Sequence, residues 1–174
     1  QKERITAFFG PAVVYLTCAK LFDLNQYDLS SVELFTMGGS PSSKADQEMI
    51  TKAFKLEGRL LQVYGLTEAG PTGCGLWPEV AALKQGALGN AGSLGCEMVI
   101  VDKDFNKIEE PGVVGEIAVF ADCRMLEYYN DPEKTAATLV NGWIMTGDLA
   151  KYDEDGYMYF VDRAKDMLTS GGQN

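Results

Sequence analysis

Leu60-Leu61-Gln62-Val63-Tyr64-Gly65-Leu66-Thr67-Glu68-Ala69-Gly70-Pro71-Thr72-Gly73-Cys74-Gly75 is the stretch on which the reading of this chain depends. Leu60 to Val63 has the length and bulk of a buried strand, and the chain then breaks into glycine. A strand that ends in such a loop aims its backbone at a ligand. Gly65, Gly70, Gly73 and Gly75 permit tight turns and let N–H groups approach an anion, because no Cβ intervenes. The Thr67 hydroxyl can donate to a phosphate oxygen. The Glu68 carboxylate beside a phosphate makes chemical sense when a hard cation such as Mg²⁺ lies between them. Tyr64 offers a flat face for a purine. The same residues also suit an ordinary strand-end turn with a solvated Glu and a packed Tyr, and residue chemistry alone leaves both readings open.

Working outward, Ile5 to Phe9 reads as a strand, and Gly10-Pro11 opens a helix to about Phe22 with Pro11 at its first position. Val32 to Met37 is the next strand and runs into Gly38-Gly39-Ser40-Pro41, where Ser40 can cap a helix and Pro41 start it. Ala45, Met49, Ile50, Ala53 and Phe54 recur at helical spacing as that helix's apolar face, Gly58 ends it, and Leu60 begins the third strand. The order is βαβαβ, whose ligand belongs at the carboxyl ends of the strands, where both glycine loops fall. Beyond Gly75, residues 76–96 read as a loop-like boundary. Short strands follow at Met98 to Val101, Gly115 to Phe120, Leu149 to Tyr152 and Tyr157 to Val161. Asp131-Pro132-Glu133 starts a short helix, and Asp153-Glu154-Asp155-Gly156 is a hairpin turn. The expected fold is α/β, a βαβαβ parallel-sheet portion followed by a small antiparallel β-barrel-like subdomain. The expected divisions are 1–86, 87–162 and 163–174.

Composition narrows the function. The 174 residues carry a formal charge of −10, with Lys plus Arg 15 against Asp plus Glu 25, and no basic cluster suited to nucleic acid or an anionic membrane. Histidine is absent, which excludes His-based triads and His metal sites. Cys18, Cys74, Cys96 and Cys123 show no C-x-x-C spacing, so neither zinc nor a disulfide framework is read, and a reduced, cytoplasmic setting is expected. No apolar run reaches the roughly 20 residues of a membrane helix, and Gln1-Lys2-Glu3-Arg4 is not a signal peptide. The missing initiator Met and the immediate entry into a strand suggest a piece of a longer protein.

Tyr64-Gly65-Leu66-Thr67-Glu68 resembles the Tyr-Gly-x-Thr-Glu signature of the adenylate-forming superfamily, which includes acyl-CoA synthetases, aryl-CoA ligases, luciferases and peptide-synthetase adenylation domains. Further stretches match the family in order and spacing. They are Gly89 to Gly95, Gly115-Glu116-Ile117, Met125 to Asn130, Trp143 through Thr146-Gly147-Asp148, Asp155-Gly156-Tyr157, and Asp162-Arg163-Ala164-Lys165-Asp166. The departure is Asp162, where many members have Gly. The resemblance implies that Gly39, Ser40 and Pro41 line the adenine pocket, with Tyr64 and Gly65 beside them. Thr67 and Glu68 become the catalytic pair at the α-phosphate, with Glu68 on Mg²⁺. By chemistry alone Asp148 reads equally as a turn aspartate before a strand or as a carboxylate, placed by Gly147 at the start of a strand, that accepts from two vicinal ribose hydroxyls. By resemblance it holds the ribose hydroxyls, Arg163 the ribose or phosphate, and Phe160 packs near the nucleoside. Lys165 is the hinge of a small carboxyl-terminal domain.

The implied activity is that of an acid–CoA ligase, with ATP/AMP, Mg²⁺ and coenzyme A as cofactors and a fatty or aryl carboxylic acid as substrate. The family's Pro-Lys-Gly phosphate loop and its catalytic lysine are not in this sequence, so the missing amino- and carboxyl-terminal parts of the same enzyme are expected partners and this chain alone is expected to be inactive. Two alternatives stand beside this reading. One is a non-catalytic nucleotide-binding module. The other is an amino-acid-activating adenylation domain, disfavoured by the lack of an acidic residue between Ile5 and Tyr15 and by the CoA-synthetase-like ending Asp166 to Asn174.

Overall fold

The computed structural model describes residues 2–39 and 42–164. They form two compact units, one of the residues up to Tyr64 plus Gly75–Leu88, the other of Gly65–Cys74 plus the described residues from Gly89 onward.

The first unit is the βαβαβ portion. Strand β1 (Ala7–Gly10) leads to helix α1 (Ala12–Leu21), β2 (Leu34–Gly38), α2 (Lys44–Phe54) and β3 (Leu60–Gly65). β1 pairs with β2 in parallel, Ala7 opposite Leu34, and β2 with β3 in parallel, Phe35 opposite Leu60. β4 (Gly73–Leu76) continues the order β1-β2-β3-β4, and the short helix α3 (Pro78–Ala81) comes next in the chain. The parallel register carries Gly10, Gly38 and Val63 to one edge of the sheet.

Phe35, Met37 and Leu60 of the strands pack with Ala12 and Tyr15 of α1 and Ile50 and Phe54 of α2. Full burial of a side chain such as Ile50 contributes about 1.5–3 kcal/mol. The Tyr15 ring meets Phe54 edge-on at 5.3 Å and its hydroxyl donates to the Thr36 carbonyl at 3.0 Å. Burial pushes that phenol up to about 12.

Three local expectations need correction. Pro11 has extended φ/ψ and caps α1 from outside rather than occupying its first turn. Helix α2 is capped by Ser43, not Ser40: the Ser43 side chain accepts from the Asp46 N–H and the Asp46 carboxylate accepts from the Ser43 N–H. That reciprocal box satisfies two orphan donors, which a start at Ser40 could not do because Ser43, not an acid or amide, stands three residues on. Ala45 and Met49, expected on the apolar face, are exposed, Met49 at 44%, and Gln47 takes the inward position at 4%. Ser43→Ala in the full-length protein is therefore expected to cost about 1 kcal/mol, read as a lower urea midpoint.

The second unit holds an antiparallel sheet. Its strands are β6 (Cys96–Val101), β7 (Lys107–Ile108), β8 (Gly115–Ala121), β9 (Leu139–Val140), β10 (Trp143–Tyr152) and β11 (Met158–Arg163), and helix α4 (Pro132–Thr138) lies between β8 and β9. The order runs β11-β10-β8-β6-β7, with β9 on β10, while β5 (Ala87–Gly89) marks the passage from one unit to the other. The sheet is open, not a closed barrel, because it runs out at the two-residue β7. Ile100, Ile117, Val119, Ile144 and Met158 are fully buried in it. The Asp153 carboxylate accepts from the Asp155 and Tyr157 amides and so closes the β10–β11 hairpin, while Asp131 caps α4 through the Lys134 amide.

Candidate nucleotide site

In the first unit the candidate residues stand at the carboxyl ends of the parallel strands. Gly39, with φ of +78°, follows β2, and no atom lies within 4 Å of the position its Cβ would take. Gly38 has the opposite reason to be glycine, since a Cβ there would stand 2.5 Å from Val63 Cγ2. Tyr64, half-buried, is near the end of β3. Behind this edge the Gln47 side-chain Oε1 accepts from Gln62 Nε2 at 3.1 Å and from the Gly86 amide at 2.9 Å. Gln47 Nε2 donates to Ser42 Oγ at 3.0 Å. This buried amide network ties β3 to the residue after the glycine loop. Ser40 and Pro41, between Gly39 and Ser42, lie outside the described residues.

In the second unit the candidates form two groups. Thr67–Ala69 is a single 3-10 turn, with Thr67 exposed and Glu68 half-buried. The loop closes tightly, for a Cβ on Gly65 would lie 2.9 Å from the Thr72 carbonyl oxygen. The Ala69 carbonyl accepts from Thr72 Oγ1 at 2.7 Å and from the Cys123 thiol at 3.3 Å. The Glu68 carbonyl accepts from the Met125 amide, and its carboxylate accepts from the Tyr128 hydroxyl at 2.6 Å. Burial first, and then the bond to Glu68, raise the Tyr128 phenol above its ordinary range.

The other group is Asp148, Phe160 and Arg163. Asp148 is not placed before a strand, as the sequence suggested, but within β10, directly after Gly147, whose φ is +72°. The pairing of β10 with β8 and with β11 shifts register here. Thr146 Oγ1 donates to the Ile117 carbonyl, and the Gly147 amide donates to Glu116 Oε1, both at 2.8 Å. These bonds hold the irregularity and fix the turn that carries the carboxylate. Asp148 is 7% exposed and its Oδ1 lies 3.1 Å from Arg163 Nε. The shift between Leu149 and Ala150 puts Arg163 opposite Asp148 and Phe160 opposite Ala150, two positions that share a face of β10. Residues an odd distance apart thus come to the same side. Lys165 lies outside the described residues.

A hard cation fits the donors at the Glu68 turn. Among the described residues no three His, Cys, Asp or Glu side chains come together as a metal cage. Mg²⁺ does not need one, being held through one or two carboxylates with water and phosphate oxygens in the remaining positions. The residue that the sequence reading passed over is Tyr128. It sits in the Met125 to Asn130 stretch, 60 residues from Glu68, and no local pattern links the two.

Comparison with known proteins agrees with this architecture. The model of the AMP-binding enzyme family matches residues 1–129. A fatty acid–[acyl-carrier-protein] ligase of Streptomyces coeruleorubidus, ScoC, is 39% identical over 84% of this chain and 28% of its own. The indoleacetate–CoA ligase of Aromatoleum aromaticum is 36% identical over 100% of this chain and 33% of its own. Among solved structures, o-succinylbenzoate CoA synthetase of Bacillus subtilis in complex with the acyl-adenylate intermediate OSB-AMP superposes with a TM-score of 0.84 at 28% identity, covering 99% of this chain and 34% of that one. The chain thus spans about a third of the length of the relatives it matches. With its parallel βαβαβ unit, its open antiparallel sheet and this match over residues 1–129, the chain belongs to the AMP-binding enzyme family.

Proposed function

We propose that the full-length protein activates a carboxylic acid with ATP and passes the acyl group to the thiol of coenzyme A. The observation that most supports this reading is the Asp148–Arg163 couple on adjacent strands. A nearly buried carboxylate beside an exposed guanidinium suits the two vicinal hydroxyls of a ribose and the phosphate attached to it. Acid–CoA and acid–carrier-protein ligases as relatives add the acid and the thiol.

In this scheme the acid's carboxylate oxygen attacks the α-phosphorus and pyrophosphate leaves. The thiol sulfur then attacks the acyl carbonyl and AMP leaves. Tyr64, Gly39, Ser40 and Pro41 receive the adenine, Gly65 allows the loop to approach the phosphate, and Phe160 packs against the nucleoside. Asp148 and Arg163 orient the ribose, and the Thr67 hydroxyl donates to the α-phosphate as charge builds there. Glu68 would hold a Mg²⁺ ion, which when bound neutralises phosphate charge. The first step requires no side chain as a base, since the attacking group is already a carboxylate; in the second the thiol reacts as its thiolate, its proton passing to solvent. Lys165 serves as the hinge between residues 1–162 and the small carboxyl-terminal domain of the full-length protein. The four cysteines are all thiols, as suits a reducing, cytoplasmic setting. Among the described residues no helix is long and apolar enough to cross a membrane.

The test is exchange of labelled pyrophosphate into ATP by the full-length enzyme with a panel of fatty and aryl acids, followed by AMP release on adding coenzyme A. We expect acid-dependent exchange, lowered on the order of 100-fold by Glu68→Gln. Exchange that ignores the acid, or that needs a free amino group on it, would overturn the proposal.

A further inference from the structure

The Tyr128–Glu68 contact joins the signature turn to a segment of the chain outside it. At 2.6 Å it lies in the range of charge-assisted O–H···O⁻ bonds. The tyrosine is itself held on several sides. Its amide donates to Thr135 Oγ1 at 2.9 Å, and that hydroxyl donates to the Asp131 carbonyl at 2.8 Å. The Lys134 ammonium stands 4.0 Å from the centre of its ring. The same segment grips Glu68 a second time, since the Met125 amide donates to the Glu68 carbonyl at 2.7 Å. Residues 125–135 therefore fix both the backbone and the side chain of one glutamate, and α4 anchors the far end.

A carboxylate with one oxygen engaged by a phenol presents the other oxygen at a set angle. Mg²⁺ demands near-ideal octahedral geometry, so a single well-aimed oxygen serves it better than a rotating carboxylate. Resting on the proposed nucleotide reading, we infer that Tyr128 is the positioning residue of Glu68, its hydroxyl holding Oε1 so that Oε2 faces the divalent cation of the nucleotide. Lys134 and Thr135 keep the ring in place, and their contribution reaches the cation only through Tyr128.

The experiment uses the full-length enzyme and Mn²⁺ as a spectroscopic stand-in for Mg²⁺. Mn²⁺ binding is followed by electron paramagnetic resonance with a non-hydrolysable ATP analogue present, and the Mg²⁺ dependence of pyrophosphate exchange is measured alongside. Tyr128→Phe is expected to weaken Mn²⁺ binding roughly 10- to 100-fold, as loss of an outer-shell partner does. The Mg²⁺ concentration for half-maximal exchange rises in proportion, saturating Mg²⁺ restores kcat, and KM for the acid is unchanged. Tyr129→Phe, altering a neighbour that is 89% exposed, leaves both curves in place. A Tyr128→Phe enzyme with unshifted Mn²⁺ binding, or one whose loss Mg²⁺ does not restore and whose melting temperature falls, overturns the inference. If Glu68→Gln weakens Mn²⁺ binding while Tyr128→Phe does not, the inference fails alone. If neither does, the nucleotide reading fails with it.

Discussion

Replacing Gly92 with alanine in the full-length enzyme is expected to lower its stability by about 3 kcal/mol or more, at the upper end for overpacking. A Cβ at this position would stand 2.2 Å from the Cys96 carbonyl oxygen and 2.7 Å from its carbon. Both are backbone atoms, so the conflict cannot be relieved by turning a side chain, and the strand-like bridge between Cys74 and Gly92 must open. The neighbouring bond from the Ser93 amide to the Gly73 carbonyl, 2.7 Å long, goes with it. Gly156→Ala provides the contrast. Gly156 has φ of +79° and open space around the missing Cβ, so alanine there meets only backbone strain of roughly 1–2 kcal/mol. Chemical denaturation of the two variants checks the order. A Gly92→Ala midpoint equal to or above that of Gly156→Ala contradicts the packing described for this turn.

Those two glycines also mark what a sequence can and cannot convey here. Gly156 is legible: Asp153-Glu154-Asp155-Gly156 between apolar runs demands a turn, and the Asp153 carboxylate closes it through local amides. The βαβαβ order is legible for the same reason, because Phe35 with Met37 and Leu60 with Gln62 alternate inward along strands that stop at glycine. The capping box at Ser43 and Asp46 was also open to local reading, but Ser40-Pro41 offered a competing start three residues earlier. The rest depends on distance along the chain. Whether the second sheet closes is decided by pairing at its edges, which no single strand encodes. The Tyr128 hydroxyl reaches Glu68 across 60 residues. Likewise Gln47 reads as a polar interruption on an amphipathic helix, yet it is buried because Gln62 of β3 and Gly86 of the turn before β5 use its side-chain oxygen.

Asp148→Ala is expected to have the largest effect on activity, lowering kcat/KM for ATP by roughly 1000-fold. An ionised acceptor contributes about 1.5–3 kcal/mol to each hydrogen bond, and two ribose hydroxyls are proposed to share this carboxylate. The fold should tolerate the change better than the chemistry does. The Asp148 side chain is 9% exposed but its partner Arg163 is 60% exposed, so removing the acid leaves the guanidinium in reach of water. The bonds that hold the register shift, from Thr146 to Ile117 and from Gly147 to Glu116, do not pass through the Asp148 side chain. Asp148→Asn separates charge from shape: it keeps one acceptor oxygen, loses the pairing with Arg163, and should fall between the alanine variant and the wild type. Full-length variants are compared by steady-state kinetics with ATP varied, and by binding of AMP, which contains the ribose but not the leaving pyrophosphate. Parallel losses in both measurements place the effect on the nucleoside. If AMP binding survives Asp148→Ala intact while the melting temperature drops, Asp148 is a structural partner of Arg163 at the register shift, and the ribose must be sought elsewhere on the chain.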